Sequence, residues 1–380
     1  MGTLASPGLL YTLAVFLLVI GVLVFVHEFG HYGVARLFGI RVETFSVGFG
    51  PELFGRVDRN GTRWRIAAIP LGGYAKFAGD ANGASQPDAE ALARVSPEDR
   101  ADLFHFRPLY QRAAVVFAGP AINFLFAILI FAGFFMSYGH QITPPVVSQV
   151  VPGTPAAAAG IQAGDRFLAI DGQKVQRFED VMRIVTINPG TEMRVALQRG
   201  DERLQLAVTP QVVQGRDRFG NEYRRGALGV ASSELQVVRE GPLVALRSAV
   251  GETIETCRMM WETILQVLTG RRDVAELGGP VKIAQFSGQS AVLGWPALVS
   301  FVALISINLG FINLLPIPML DGGHLFLYAL EAVRRRPLDP KLQEWAFMSG
   351  FALLMSLMLF LTWNDLQSIG LWEKLAGVVS

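Results

Sequence analysis

The chain has 380 residues, of which 51% are hydrophobic and only 17% charged, and its net charge is +1. A balance this apolar excludes an ordinary soluble globular protein and points to a membrane protein in contact with the lipid bilayer. The near-neutral charge, with no long Lys/Arg block, speaks against nucleic acid as a partner, and the one cysteine, Cys257, excludes an intrachain disulfide framework or a cysteine-based zinc site.

The first element is an uncharged run over residues 9–26 that finishes in the motif HEFGH, His27 to His31. Residues 1–38 are read as the first transmembrane helix. A cleavable signal peptide is not expected, because no Lys or Arg occurs before Arg36 to supply a basic leader. Residues 39–80 read as a membrane-associated β-hairpin sheet: VETFSVGFG alternates, Asp58-Arg-Asn-Gly61 carries an Asn-Gly turn signal, and TRWRIAAIPLGGYAKF resumes the strand pattern. Residues 81–111 form a polar, cytoplasmic loop that includes Pro87 and Pro97, and residues 112–138 are the second span.

Residues 143–212 read as a compact α+β domain with short strands, Gly/Ala-rich turns and one helical stretch. The sequence VVPGTPAAAAGIQAGDRFLAIDGQKV resembles a PDZ domain of the bacterial protease-associated type. That resemblance implies peptide binding near the turn carrying Gly160 and Ile161, through strand addition and carboxylate capture by backbone N–H groups. The plainer reading of Gly160, Gly164 and Gly172 is that they permit tight turns. Residues 213–290 are expected to hold a linker and an amphipathic helix, its charges Arg247, Glu252, Glu255, Arg258 and Glu262 keeping it out of the bilayer core.

The third span, residues 291–330, contains NLLPIPMLDGGH, in which Pro316 and Pro318 cannot continue a regular helix. A broken backbone at membrane depth is tolerated only where it is buried in protein or lines a cavity. Residues 331–344 form a second cytoplasmic loop, 345–364 the fourth span and 365–380 a tail. Eleven Lys/Arg between Arg36 and Arg112, and Arg334, Arg335, Arg336 and Lys341 after the third span, place both loops in the cytoplasm. Both termini and residues 143–290 then lie on the opposite, extracytoplasmic side.

Chemistry concentrates at two places. His27 and His31 are four apart, hence on one face of a helix and within joint reach of one cation. HExxH on a helix is a zinc-binding pattern in which the intervening Glu28 acts as general base. Ionisable groups inside a spanning segment are costly unless paired, metal-bound or facing a wet cavity, and Phe29, Tyr32, Val34, Leu37 and Phe38 continue the apolar helix past them. Two histidines need a third protein ligand, and the broken third span offers Asp321, with His324 as its rival.

HEFGH, NLLPIPMLDGGH, QRAAVVFAGPAINF, SVGFGP and IPLGGYAKF, in this order of argument and spread over nearly the whole chain, together resemble the site-2 protease family of intramembrane zinc metalloproteases, in its bacterial RseP-type branch. The resemblance implies one zinc ion held by His27, His31 and Asp321, Glu28 as the base, and Asn313 bonding the unwound substrate. It also implies a bacterial inner-membrane location with the site toward the cytoplasm, and a sheet whose edge, near Gly72 and Gly73, pairs with substrate. Its substrates would be single-span membrane proteins, such as anti-sigma factors or signal-peptide remnants. The RseP proteins of enteric bacteria carry two tandem PDZ domains, whereas one is found here. The competing reading is a non-catalytic membrane PDZ scaffold or chaperone that uses zinc structurally, against which Glu28 argues, since a structural site has no need of a base. A transporter would call for repeated halves, which the sequence does not offer.

Overall fold

The computed structural model describes residues 8–82, 94–96, 99–175, 177–216, 222–232, 236–270, 278–336 and 338–368. Pro87 and Pro97 of the expected loop, residues 217–221 and the tail beyond residue 368 lie outside them. The chain forms two compact units, Phe134–Pro242 on the one hand and Met1–Gly133 with Leu243–Ser380 on the other.

Helix α1 (Leu9–Leu37) is almost wholly apolar, and its 29 residues rise about 43 Å, more than the roughly 30 Å of a bilayer core. A helix is the conformation such a segment must take, because lipid offers its backbone no hydrogen-bond partners. Strands β1 (Val42–Val57) and β2 (Arg63–Phe77) follow. Each is long enough to bend and pair twice: Phe45 faces Ala75 on one side and Trp64 on the other, and Arg56 in turn faces Trp64. The order across the sheet is therefore 73–77, 42–47, 63–66, 54–57, with 73–77 paired on one side alone among the described residues.

Asp58 organises the connecting turn. Its carboxylate accepts the N–H groups of Asn60 (2.8 Å) and Thr62 (3.0 Å) on one oxygen, and the Trp64 indole N–H (3.0 Å) and Tyr32 hydroxyl (3.3 Å) on the other. The same side chain thus closes the hairpin and ties it to α1. Phe45, wholly buried, completes this seam by packing on Phe25, Tyr32 and Trp64.

Helix α2 (Leu109–Ser137) leads into the second unit. There β3 (His140–Ile142) and β4 (Gln149–Val150) precede a one-turn helix α3 (Pro155–Ala158), then β5 (Arg166–Ile170), β6 (Gln173–Lys174), α4 (Phe178–Ile187), β7 (Met193–Arg199) and β8 (Glu202–Val208). Strands β6, β5, β7 and β8 make one antiparallel sheet in that order. Phe167, Ile170, Val195 and Leu197 on its inner face pack with Val181 and Ile184 of α4. Beyond β8, β9 (Gln211–Arg216) and β10 (Glu222–Ala227) form a hairpin, β11 (Val230–Ala231) pairs with β4, and β12 (Gln236–Val238) pairs with β3. The strands Glu222–Ala227, Val230–Ala231 and Gln236–Val238, in the stretch expected to hold a linker, therefore take part in the unit's sheets.

An ion pair between buried Asp165 and half-buried Arg199 pins one turn of this unit. Asp165, its side chain fully buried, takes two hydrogen bonds from the Arg199 guanidinium (2.8 Å each) and one from the Gln162 N–H (2.8 Å), while Arg199 also donates to the Gly160 carbonyl (2.7 Å). Burial pushes the Asp165 carboxyl up, but the arginine and the amide outweigh it and hold the group below the ordinary carboxylate value.

The chain re-enters the first unit through α5 (Pro242–Leu268), which carries the charges expected of the amphipathic helix, and α6 (Pro280–Val292). The third span is divided into α7 (Trp295–Asn313) and α8 (Asp321–Arg334) by residues 314–320, and α9 (Pro340–Ser368) closes the fold. By length and composition α1, α2, α7 and Lys341–Gln367 are able to cross a membrane, so the protein is built as a membrane protein. Asp365, assigned from sequence to the tail, lies on α9 and is fully buried, accepting the Gly279 (3.2 Å) and Lys282 (3.1 Å) N–H groups that open α6.

Candidate metal centre and active site

α1 presents His27 and His31 on one face, both buried, with their ring centroids 4.9 Å apart. The break in the third span delivers the third group. Pro316 and Pro318 interrupt the helix and Met319 takes a left-handed φ of +83°, a strained conformation for a residue with a side chain, so that the chain turns and restarts at Asp321. Gly322 and Gly323 let this restart settle onto the Leu314, Leu315 and Ile317 carbonyls, where a Cβ would collide. Gly350 of α9 meets Pro318 as closely, so α9 packs directly against the broken segment.

His27 Nε2 lies 3.1 Å and His31 Nε2 3.5 Å from Asp321 Oδ2, and the two nitrogens are 3.3 Å apart. Four tetrahedral ligands at the usual zinc bond lengths of about 2.0–2.1 Å are about 3.3–3.4 Å from one another, so these three atoms already have the spacing of one tetrahedral face. Asp321 Oδ2 is buried, and its close polar neighbours among the described residues are these two imidazole nitrogens, which suits an oxygen aimed at a cation. The three residues are the group found among the described residues that could hold a metal ion. His324 is not part of it; this rival packs its ring on Phe347 of α9, 4.8 Å between centroids.

The three groups line a cavity of about 370 Å³ with Glu28, Gly72, Gly73, Tyr74, Asn313 and His324, within the size range of small binding sites. Glu28 is buried and lines the cavity together with Ala75 of the one-sided edge 73–77. Gly73 is there because the edge comes so close to α1: a Cβ would sit 2.6 Å from Val24 Cγ1 and 3.1 Å from Glu28 Cγ. Asn313, the last residue of α7, lines the cavity and donates to the Leu309 carbonyl (3.0 Å) at the end of its own helix. Gly160 and Ile161 belong to the second unit, where their N–H groups donate to the Ala157 and Ala156 carbonyls and Ile161 is buried in the core.

Helix α2 stands behind these groups; the sequence did not single out Val115, whereas Asn123 ends the GPAIN stretch of the QRAAVVFAGPAINF motif. His31 Nδ1 is 2.9 Å from the Val115 carbonyl, to which it donates, leaving Nε2 as the lone-pair nitrogen. Gly119 passes directly beneath both imidazoles: a Cβ there would overlap His31 Nε2 and come within 2.9 Å of His27 Cε1. Asn123 reaches His27 Nδ1 at 3.0 Å. One signal was available, since Asn123 is the single polar side chain between Ala113 and Met136, four residues after Gly119 and hence on the same face.

Two imidazoles and a carboxylate converging beside a buried glutamate make the arrangement of a metal-dependent hydrolase. The pattern of peptidase family M50 matches residues 15–357, and the chain belongs to that family of metalloproteases. A protein of Agrobacterium fabrum named "Putative zinc metalloprotease" is 47% identical over 358 residues, covering 93% of this chain and 95% of its own. One of the same description from Rhizobium meliloti is 43% identical over 369 residues, 96% of this chain and 99% of its own. Metalloprotease MmpA of Caulobacter vibrioides is 36% identical over 394 residues, 98% of this chain and 99% of its own. Among solved structures, the PDZ domain of an SdrC-like protein from Listeria monocytogenes is 19% identical and covers 24% of this chain and 90% of its own, with a TM-score of 0.20.

Proposed function

We propose that this metalloprotease is a zinc-dependent endopeptidase that cleaves single-span membrane proteins within or beside their membrane segment, in regulated intramembrane proteolysis. The observation that carries the reading is the cluster His27, His31 and Asp321, with donor atoms 3.1–3.5 Å apart, opening beside Glu28 in a cavity walled by a sheet edge that is paired on one side alone among the described residues. One zinc ion per chain would be held by those three side chains. When bound, it supplies Lewis-acid polarisation and acidifies water in the open fourth position.

The remaining work falls to the chain. A helical substrate has its amides hydrogen-bonded internally, so a stretch must first unwind, and the backbone edge at Gly73 and Ala75 offers an extended segment the pairing it has lost. Glu28 takes the proton from the attacking water and passes it to the departing amine. Asn313 turns its amide from Leu309 toward the substrate carbonyl and stabilises charge that develops on its oxygen.

Arg334, Arg335 and Arg336 directly after the third span support a cytoplasmic location for that end. By that topology the site faces the cytoplasmic side of a bacterial inner membrane, and the PDZ-like unit and both termini lie outside. Substrates already trimmed on the outer face, such as anti-sigma factors, or signal-peptide remnants, fit a site that admits little beyond a membrane segment. The PDZ-like unit would screen out bulky outer domains.

The deciding experiment compares wild type with Glu28→Gln on candidate single-span substrates, reading cleavage and bound zinc together. Zinc content should be unchanged while the cleavage rate falls by about 10²–10⁴-fold, the usual contribution of a general base. Equal cleavage by the two proteins would sink the protease reading in favour of a structural zinc site.

A further inference from the structure

The residue that faces His27 from behind belongs to a helix that supplies no candidate ligand. Asn123 is completely buried in α2, and its carbonyl accepts the Ser306 hydroxyl of α7 at 2.8 Å, so its backbone is fixed between two spans. Its side chain, by contrast, has one hydrogen-bonding contact among the described residues, Nδ2 to His27 Nδ1 at 3.0 Å, and Oδ1 is buried without a partner. The contact crosses from α2 to α1 and ends on a side chain of the candidate metal group.

A neutral imidazole carries one N–H, and which nitrogen holds it decides whether the other can ligate. With the proton on Nε2, the amide NH2 donates to Nδ1, and Nε2–H points into the cluster toward Asp321 Oδ2 at 3.1 Å. In that form His27 cannot bind a cation through Nε2, and Asn123 Oδ1 has no donor. With the proton on Nδ1, a half-turn of the amide brings Oδ1 to accept it, and the Nε2 lone pair faces the cluster. The half-turn exchanges two groups of nearly equal size, so it needs no repacking.

We infer that Asn123 is a positioning residue for the metal: its amide oxygen holds His27 in the Nδ1–H tautomer and so sets the affinity of the site. This rests on reading His27, His31 and Asp321 as a zinc site. The Val115 carbonyl holds His31 in the same tautomer, with the difference that a backbone carbonyl accepts in every state whereas an amide turns. Helix α2 thereby fixes both histidines, and at His27 the tautomer follows a side chain that a substitution can change.

The test is zinc affinity of the purified full chain by competition with a chelator, with the absorption spectrum of the cobalt-loaded protein as a second readout that needs no substrate. Asn123→Leu, close in size but with no acceptor, should bind zinc about 10–100-fold more weakly, as loss of such outer partners does elsewhere. Asn123→Asp, which offers an oxygen on either side, should bind within a few-fold of wild type and keep the wild-type cobalt spectrum. Zinc affinity of Asn123→Leu equal to wild type would overturn the inference. So would a tenfold or greater loss in Asn123→Asp, a result that stays decisive even where the leucine variant does not fold. His27→Ala separates the two levels: if it binds zinc as wild type does, the zinc-site reading itself fails. If it loses zinc while Asn123→Leu keeps it, only the role of Asn123 fails.

Discussion

At Gly119 the absence of a side chain has a direct chemical consequence. Any Cβ there would occupy the space of His31 Nε2 and press on His27 Cε1, so a methyl group must displace either α2 or the imidazoles. Gly119→Ala is therefore expected to lower zinc affinity at least about tenfold and to destabilise the chain by about 1–3 kcal/mol, as overpacking does; zinc content and a detergent melt would check both. His27, Glu28 and His31 were legible in the sequence because their spacing is local and helical. Val115 was not legible, since a backbone carbonyl leaves no trace in residue type. Asn123 could be noticed as the lone polar group of an apolar span, but its partner lies 96 positions earlier, and no local pattern connects the two.

At the scale of elements, the break between α7 and α8 was readable from Pro316 and Pro318, and the Asn-Gly signal at Asn60-Gly61 marked the turn between β1 and β2. What could not be read was that both strands bend and pair twice, because that depends on which stretch meets which across space. Strand edge 73–77 becomes the cavity wall only through that doubling. In the second unit the Asp165 to Arg199 pair gives a testable pH dependence. The folded-state carboxyl is held below its unfolded value of about 3.9, so its stabilisation is fully present above that pH and is lost as the pH falls through the lowered folded value. Asp165→Asn should cost about 2 kcal/mol at neutral pH, the scale of a charge-assisted hydrogen bond, and flatten the acid side of the profile. Hydrogen exchange of the β5 and β7 amides in the full chain measures both. Should the variant keep the wild-type acid profile, the pair is not the cause.

Across the whole molecule, four apolar spans and the position of the Arg triplet give a topology that can be measured directly. A reporter fused after Arg336 should read as cytoplasmic, and one inserted in the β9–β10 hairpin as extracytoplasmic; the reverse pattern would place the site on the opposite side. Composition alone determined that this is a membrane protein, since 51% hydrophobic residues in long uncharged runs have no other stable solvent. The sequence also determined which side chains can hold a cation, because histidine, glutamate and aspartate in lipid need a reason to be there. Only the tertiary structure decided that these groups, on helices separated by most of the chain, meet with donor atoms 3.1–3.5 Å apart, and that α2 lies behind them. The reason is physical: ligand chemistry is a property of a residue, whereas a tetrahedral face and the tautomer that serves it are properties of packing between helices.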